Sequence, residues 1–244
     1  GNNATVDVTL AETAYPGVPN SGALTAEDWV LSIPDTNSTA KLGSATPTSI
    51  SKSGNVYTLG MNIQGTPDGN ETLVVNPAAN SIYDALDNIS STTQTNNSAN
   101  LKDKTPATVQ SISVAANNAT IAVTMSEPIF NASNGQGALE KSDFAFTMSG
   151  GSAVLENAAP TSIAASGNVY TLGINLSGTP NGAEVVAVTP VASSIYDAVG
   201  NVSLTEQSGN TANLKDKASP VFSALDLANN NGTIAVTFSE AVFS

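Results

Sequence analysis

The chain of 244 residues has no cysteine, no histidine and no arginine, and its 7 basic residues, all lysines, face 20 acids. Each absence removes a class of chemistry. Without Cys or His there is no zinc finger, no thiol nucleophile, no Ser-His-Asp triad and no haem ligated through His or Cys. A formal charge of −13 and the lack of arginine argue against nucleic acid as a partner, because such a surface repels phosphate backbones. No apolar run approaches the roughly 20 residues of a transmembrane helix, so no membrane span is expected. Ser149-Gly150-Gly151-Ser152 lacks the Lys-Ser/Thr and the following helix of a phosphate-binding loop. The chain does not open on a basic, apolar leader, so an export signal is expected to have been removed or to lie outside this sequence. The lack of disulfides leaves the compartment open, since exported prokaryotic proteins often have none. The acidic composition, rich in Asn, Ser and Thr, suits the cell exterior.

What the chain does contain is a repeat. Gly54-Asn55-Val56-Tyr57-Thr58-Leu59-Gly60 returns as residues 167–173, an interval of 113. Ser81-Ile82-Tyr83-Asp84-Ala85 returns at 194–198, and Asn100-Leu101-Lys102-Asp103-Lys104 at 213–217, at the same interval. Aligned without gaps, 54–104 and 167–217 share 32 identities in 51 positions, which is tandem duplication. Ala119 to Glu127 returns as Gly232 to Glu240, and the related Ala4 to Glu12 opens the chain. The natural seam is Lys-Asp-Lys followed by proline, at 102–106 and 215–220. On this frame 1–104 is a module lacking its first strand, 105–217 is a complete module, and 218–244 holds the first two strands of a third.

Apolar residues alternate with polar ones almost throughout. Val6, Val8 and Leu10 do so, as do Ile121, Val123 and Met125, and Ile234, Val236 and Phe238. Tyr57, Leu59, Met61 and Ile63 match Tyr170, Leu172, Ile174 and Leu176; Trp29, Leu31 and Ile33 match Phe144, Phe146 and Met148. Period two means strands buried on one face. Turn signals such as Asn231-Gly232, Asn181-Gly182 and Pro67-Asp68-Gly69 separate them. Helix is expected only as short turns at Leu24 to Asp28 and Leu139 to Asp143. About seven short strands per roughly 110 residues predicts an all-β sandwich.

Module two runs from Pro106 through Ile-Ala-Val-Thr-Met-Ser-Glu-Pro (121–128), Ser-Asp-Phe (142–144) and Val-Tyr-Thr-Leu (169–172) to Ile-Tyr-Asp-Ala-Val-Gly-Asn (195–201). That order resembles the bacterial Ig-like domains found in tandem in surface-layer proteins and large adhesins. The resemblance covers nearly the whole chain. Module one departs from it at Asp87, where module two has Gly200, and at Ala11-Glu12-Thr13. It implies tandem Ig-like sandwich modules repeating about every 113 residues, located outside the cell at its surface and acting as non-catalytic spacers or lattice builders. Three roles remain open: a stalk, surface layer or filament; an adhesin whose loops bind a glycan or a partner cell; or an accessory domain of a secreted enzyme. Partners on the first reading are adjacent modules or copies of the chain joined head to tail, the end of one supplying strands to the start of the next.

Candidate sites are few. Glu127 with Asp143 and Glu12 with Asp28 are carboxylate pairs of the kind that glycosidases use, but they recur in both modules and so belong to the scaffold; no enzyme is expected. Calcium is the candidate cofactor, since it takes carboxylate and amide oxygens. Asp84, Asp87 and Asn88 share one turn, Asp197 and Asn201 the matching turn, and Asp103 and Asp216 the seams. The competing reading is turn chemistry, in which Asp and Asn bond their own backbone. Glycosylation sequons stand at Asn3, Asn37, Asn70, Asn88, Asn96, Asn118, Asn131, Asn175, Asn201 and Asn231. A chain of this composition also forms such triplets by accident.

Overall fold

The computed structural model describes residues 2–243. It is all-β and antiparallel; among the described residues the only helical segments are two three-residue 3-10 turns, Ala26–Asp28 and Lys141–Asp143. The chain divides into two compact units, Gly1–Thr105 and Pro106–Ser244.

The first unit contains β1 (Thr5–Thr9), β2 (Trp29–Ser32), β3 (Ala40–Leu42), β4 (Ile50–Ser53), β5 (Val56–Gly60), β6 (Ile63–Gly65), β7 (Thr72–Pro77) and β8 (Ser98–Asn100). They pair as β1-β5-β4, β2-β7-β8 and a small β3-β6 ladder. The second contains β9 (Val109–Val114), β10 (Thr120–Met125), β11 (Phe144–Ser149), β12 (Val154–Leu155), β13 (Ile163–Ser166), β14 (Val169–Gly173), β15 (Leu176–Ser177), β16 (Val185–Pro190) and β17 (Thr211–Asn213). Here the sheets are β13-β14-β10-β9, β11-β16-β17 and β12-β15. A separate hairpin follows, β18 (Phe222–Leu227) with β19 (Ile234–Phe238).

Period-two alternation sets which face each strand buries. In β10 the residues Ile121, Val123 and Met125 are 0, 0 and 1% exposed, while Thr120, Ala122 and Thr124 between them are only half-buried. Opposite them β14 buries Tyr170 and Leu172, in the register Ile121↔Leu172 and Val123↔Tyr170. Phe144 and Phe146 of β11 and Val186 and Val188 of β16 close the same core from the other sheet. This is the layering of a β-sandwich. The first unit is built alike, with the register Val6↔Leu59 and Val8↔Tyr57. At the centre of each core two rings lean together at a similar tilt, Trp29 on Tyr57 at 5.5 Å and 48°, Phe144 on Tyr170 at 6.0 Å and 45°. Such pairs add about 0.5–1.5 kcal/mol beyond the area they bury.

The second unit has more strands than the seven expected, counting β9 to β17. The additional pair is β12 and β15, two residues each, which ladder two crossing segments together. Two residues are too few for alternation to show. The units also differ at one edge. β9 pairs with β10, but among the described residues of the first unit none pairs with β1 on that side. Val6, Val8 and Leu10 are accordingly half-buried, although they occupy the places of fully buried Ile121, Val123 and Met125.

Candidate functional site

The carboxylates that the sequence singled out in pairs have separate local tasks. Asp28 Oδ2 accepts the Thr25 backbone N–H at 2.7 Å, and Asp143 Oδ2 accepts that of Glu140 at 2.7 Å. Each closes a 3-10 turn that leads directly into the strand carrying the central aromatic, Trp29 or Phe144. The carboxylate brought near Glu127 within the second unit is that of Asp197, their oxygens lying within 4.8 Å.

The two late turns are the same structure. Asp84 Oδ1 accepts the N–H groups of Leu86 at 2.7 Å and Asn88 at 2.9 Å, and Oδ2 accepts the Asn88 side-chain amide at 2.7 Å. Asp197 Oδ1 accepts from Val199 at 2.9 Å and Asn201 at 2.8 Å, and Oδ2 from the Asn201 amide at 2.7 Å. The Asn88 side-chain amide, aided by the backbone N–H groups, holds the Asp84 carboxyl below its usual range. Position 87 or 200 closes the turn with positive φ: 66° at Asp87 and 91° at Gly200. The aspartate side chain adopts this region more readily than most, which is why Asp can stand where the other turn has Gly.

Asp103 and Asp216 each accept the N–H two residues on, Thr105 and Ala218, at 2.8 Å. These are Asx turns that redirect the chain at the seam. The calcium candidates are thus all placed in turns, which the carboxylates of Asp84, Asp197, Asp103 and Asp216 organise. A hard cation needs six to eight oxygens. Within the second unit, Glu127 beside fully buried Asp197 is the place where two carboxylates approach. Their counterparts Glu12 and Asp84 line one groove of about 330 Å³ in the first unit.

Two acids that the sequence reading passed over are as deeply buried as Asp197, Glu71 at 1% and Glu184 at 0% exposure. Glu184 Oε1 accepts the backbone N–H groups of Ser152 at 2.7 Å, Ala153 at 3.0 Å and Asn181 at 3.1 Å. Burial pushes its pKa up, but the N–H groups of Ala153, Ser152 and Asn181 outweigh it and hold the carboxyl at about 2. Glu71 occupies the matching place in the first unit and accepts from the N–H groups of Ala40 at 3.1 Å and Asp68 at 3.1 Å, and from the Thr39 hydroxyl at 2.5 Å. Each ties the segment before a short strand, β12 or β3, to the turn before β16 or β7. Gly151 (φ +63°) makes room for this, since a Cβ there would stand 2.1 Å from the Glu184 carboxyl carbon. The signal was present in the sequence: Glu71 and Glu184 recur in register after Pro-x-Gly.

The sequons fall into two groups. Asn3 and Asn118 occupy left-handed turns (φ 56° and 57°) and clamp the seam strand of their own unit. The Asn118 amide donates to Lys215 O at 2.7 Å and its Oδ1 accepts the Lys215 N–H at 2.8 Å; Asn3 bonds Lys102 identically, at 2.7 and 2.8 Å. Asn118 is 5% exposed, so the folded unit leaves no room for a glycan on it. Asn37, Asn70, Asn88, Asn96, Asn131, Asn175 and Asn231 are exposed, and Asn201 is half-buried. Tyr57 and Tyr170 are core residues; Tyr83 and Tyr196 are half-buried and bridge the late turns. No helix among the described residues is long and apolar enough to cross a membrane. No family model, curated protein or solved structure matches the chain.

Proposed function

We propose that the chain is a non-catalytic structural protein of the cell exterior, built of tandem Ig-like sandwich modules repeating about every 113 residues, and serving in a stalk, surface layer or filament. One observation carries this reading. The polar side chains that could perform chemistry are engaged with backbone, at matching positions of both units: Asp28 and Asp143, Asp84 and Asp197, Glu71 and Glu184, Asn3 and Asn118. Duplicated polar groups that organise turns are what a load-bearing scaffold needs. An enzyme needs one constellation with unsatisfied reacting groups.

Force spectroscopy on the full chain tests the mechanical role. Each module should unfold separately, releasing about 35 nm of chain for 1–104 and about 38 nm for 105–217 at ~3.4 Å per residue. A single event, or unfolding at negligible force, defeats the load-bearing reading. Antibodies against the chain should label intact source cells, and their failure to do so removes the surface location. Binding of the full chain to a glycan array would replace the structural reading by the adhesin one.

A further inference from the structure

The sheet β13-β14-β10-β9 of the second unit contains no charged residue in any of its four strands. No acid or lysine stands between Glu156 and Glu184 either, in a chain whose formal charge is −13. The corresponding sheet of the first unit, β1-β5-β4, carries Asp7 and Lys52. β13 is the end strand of the uncharged sheet, and its Ala164, Ala165 and Ser166 are exposed. Both ends of this edge are defined. At one, the Thr161 N–H donates to Gly173 O and the Gly173 N–H to Ser162 O, each at 2.9 Å, so two residues stand against one in a bulge. At the other, β13 turns into β14 through Gly167 and Asn168. The free edge is therefore residues 163–166.

The bond from Gly173 to Ser162 fixes which backbone groups point where. An antiparallel strand bonds a given neighbour at every second residue, so Ala164 and Ser166 bond β14, while Ile163 and Ala165 turn their N–H and C=O away from the sheet. In the first unit the place of Ala165 is taken by Lys52, whose Nζ lies 5.1 Å from the centroid of the Tyr57 ring. A lysine on an edge strand blocks pairing with the same edge of another molecule, since like charges then meet. β4 is guarded in this way and β13 is not. We propose that the β13 edge is a self-association site, and that its occupant is β13 of a second copy of the chain, antiparallel to it about a two-fold axis. Charge selects this partner. Two acidic chains repel over most of their surface but not along this sheet, and a charged partner finds no ion here to pair with.

One register pairs both outward-facing residues of each copy. It sets Ile163 opposite Ala165 of the second copy, with bonds exchanged at both such pairs, and Ala164 opposite Ala164. The sheets of the two copies then run on as one. An edge of four residues buries far less than a stable dimer needs, so a single contact is weak, with Kd on the order of 0.1–1 mM. Modules repeated along a chain add such contacts together. The proposal goes beyond a load carried along the chain, because it gives the protein a sideways contact with neighbouring chains.

The test uses the full chain, in sedimentation up to about 1 mM and in oxidative cross-linking. A concentration-dependent dimer is expected. Since the chain has no cysteine, Ala164→Cys places one thiol on each copy at a non-hydrogen-bonded pair, where Cα atoms about 4.5 Å apart suit a disulfide. It should yield a covalent dimer about tenfold or more faster than Ser51→Cys, the counterpart on β4. Ala165→Lys, which copies Lys52, should weaken association by on the order of tenfold or more. Ala165→Pro should do the same, because it removes an outward donor and no bond to β14. Both positions are exposed, and urea melts matching the wild type show that the variants keep the fold. A chain that stays monomeric at about 1 mM, equal cross-linking of Ala164→Cys and Ser51→Cys, or association that ignores both Ala165 substitutions overturns the proposal. None of these results bears on separate unfolding of the modules under force, which has its own measurement.

Discussion

Glutamine or alanine in place of Glu184 removes the charge that staples two segments of the second unit. The carboxylate is fully buried and accepts three backbone N–H groups at 2.7–3.1 Å. Its pKa falls from 4.5 to about 2 on folding. At about 1.4 kcal/mol per pH unit that fall is equivalent to at most about 3.5 kcal/mol, and screening by water at the neighbouring exposed turn trims it to about 2. The folded pKa lies below the unfolded one, so the contribution is complete above about pH 4.5 and is lost as pH falls towards 2. Glu184→Gln keeps an acceptor for most of the N–H groups and should cost about 2 kcal/mol at pH 7. Glu184→Ala, which leaves three buried donors unpaired, should cost about 3 kcal/mol or more. A loss of 2 kcal/mol corresponds to a melting shift of roughly 10 °C in a domain this size. Urea melts at several pH values provide the assay. Trp29, the only tryptophan, reports the first unit alone, whereas circular dichroism reports both. The far-ultraviolet transition of the second unit should move, and the tryptophan transition should not. The stability difference between wild type and Glu184→Gln should shrink as pH falls from 4.5 to 2. An unmoved second transition, or the same acid limb in the variant as in the wild type, refutes the reasoning.

Asn118→Ala should destabilise the second unit by about 2–3 kcal/mol, since it loses both bonds to Lys215 and places Ala at φ 57°. Asn118→Gly, which tolerates that φ, should lose less; equal losses in urea melts would mean that the turn conformation matters little. Val123→Ala should cost about 2 kcal/mol and Val8→Ala less than about 1, because Val123 is fully buried and Val8 only half-buried; equal costs in melts would mean that this difference in burial carries no stability. Calcium, if taken at Glu127 and Asp197, should raise the melting midpoint of the second unit, by about 2.7 kcal/mol at a hundredfold excess over Kd. Identical curves with calcium and with EGTA would remove the ion from the account.

Period two and the recurring turn triplets were sufficient to read an all-β chain from the sequence, because a half-buried strand needs only alternation and a turn needs only local bonds. The two helical turns were legible for the same reason: Asp28 and Asp143 bond backbone three residues away. The absence of Cys and His likewise excluded, without any coordinates, thiol nucleophiles and imidazole bases or ligands from this chain. What the tertiary structure alone decided depends on distance in space. Glu184 gains its low pKa from residues 32 and 31 positions away as well as from the adjacent turn, and its sequence neighbourhood shows only the Pro-x-Gly register that it shares with Glu71, not its burial. Asn118 reads as a sequon until the fold brings Lys215 to it across 97 positions. Glu127 comes beside Asp197 because the bridge between Phe130 and Tyr196 joins their segments across more than 60 positions. The groove of about 520 Å³ in the first unit has walls from β1, β2 and β7, which lie far apart in the sequence, and only the packing of one sheet on the other brings them together.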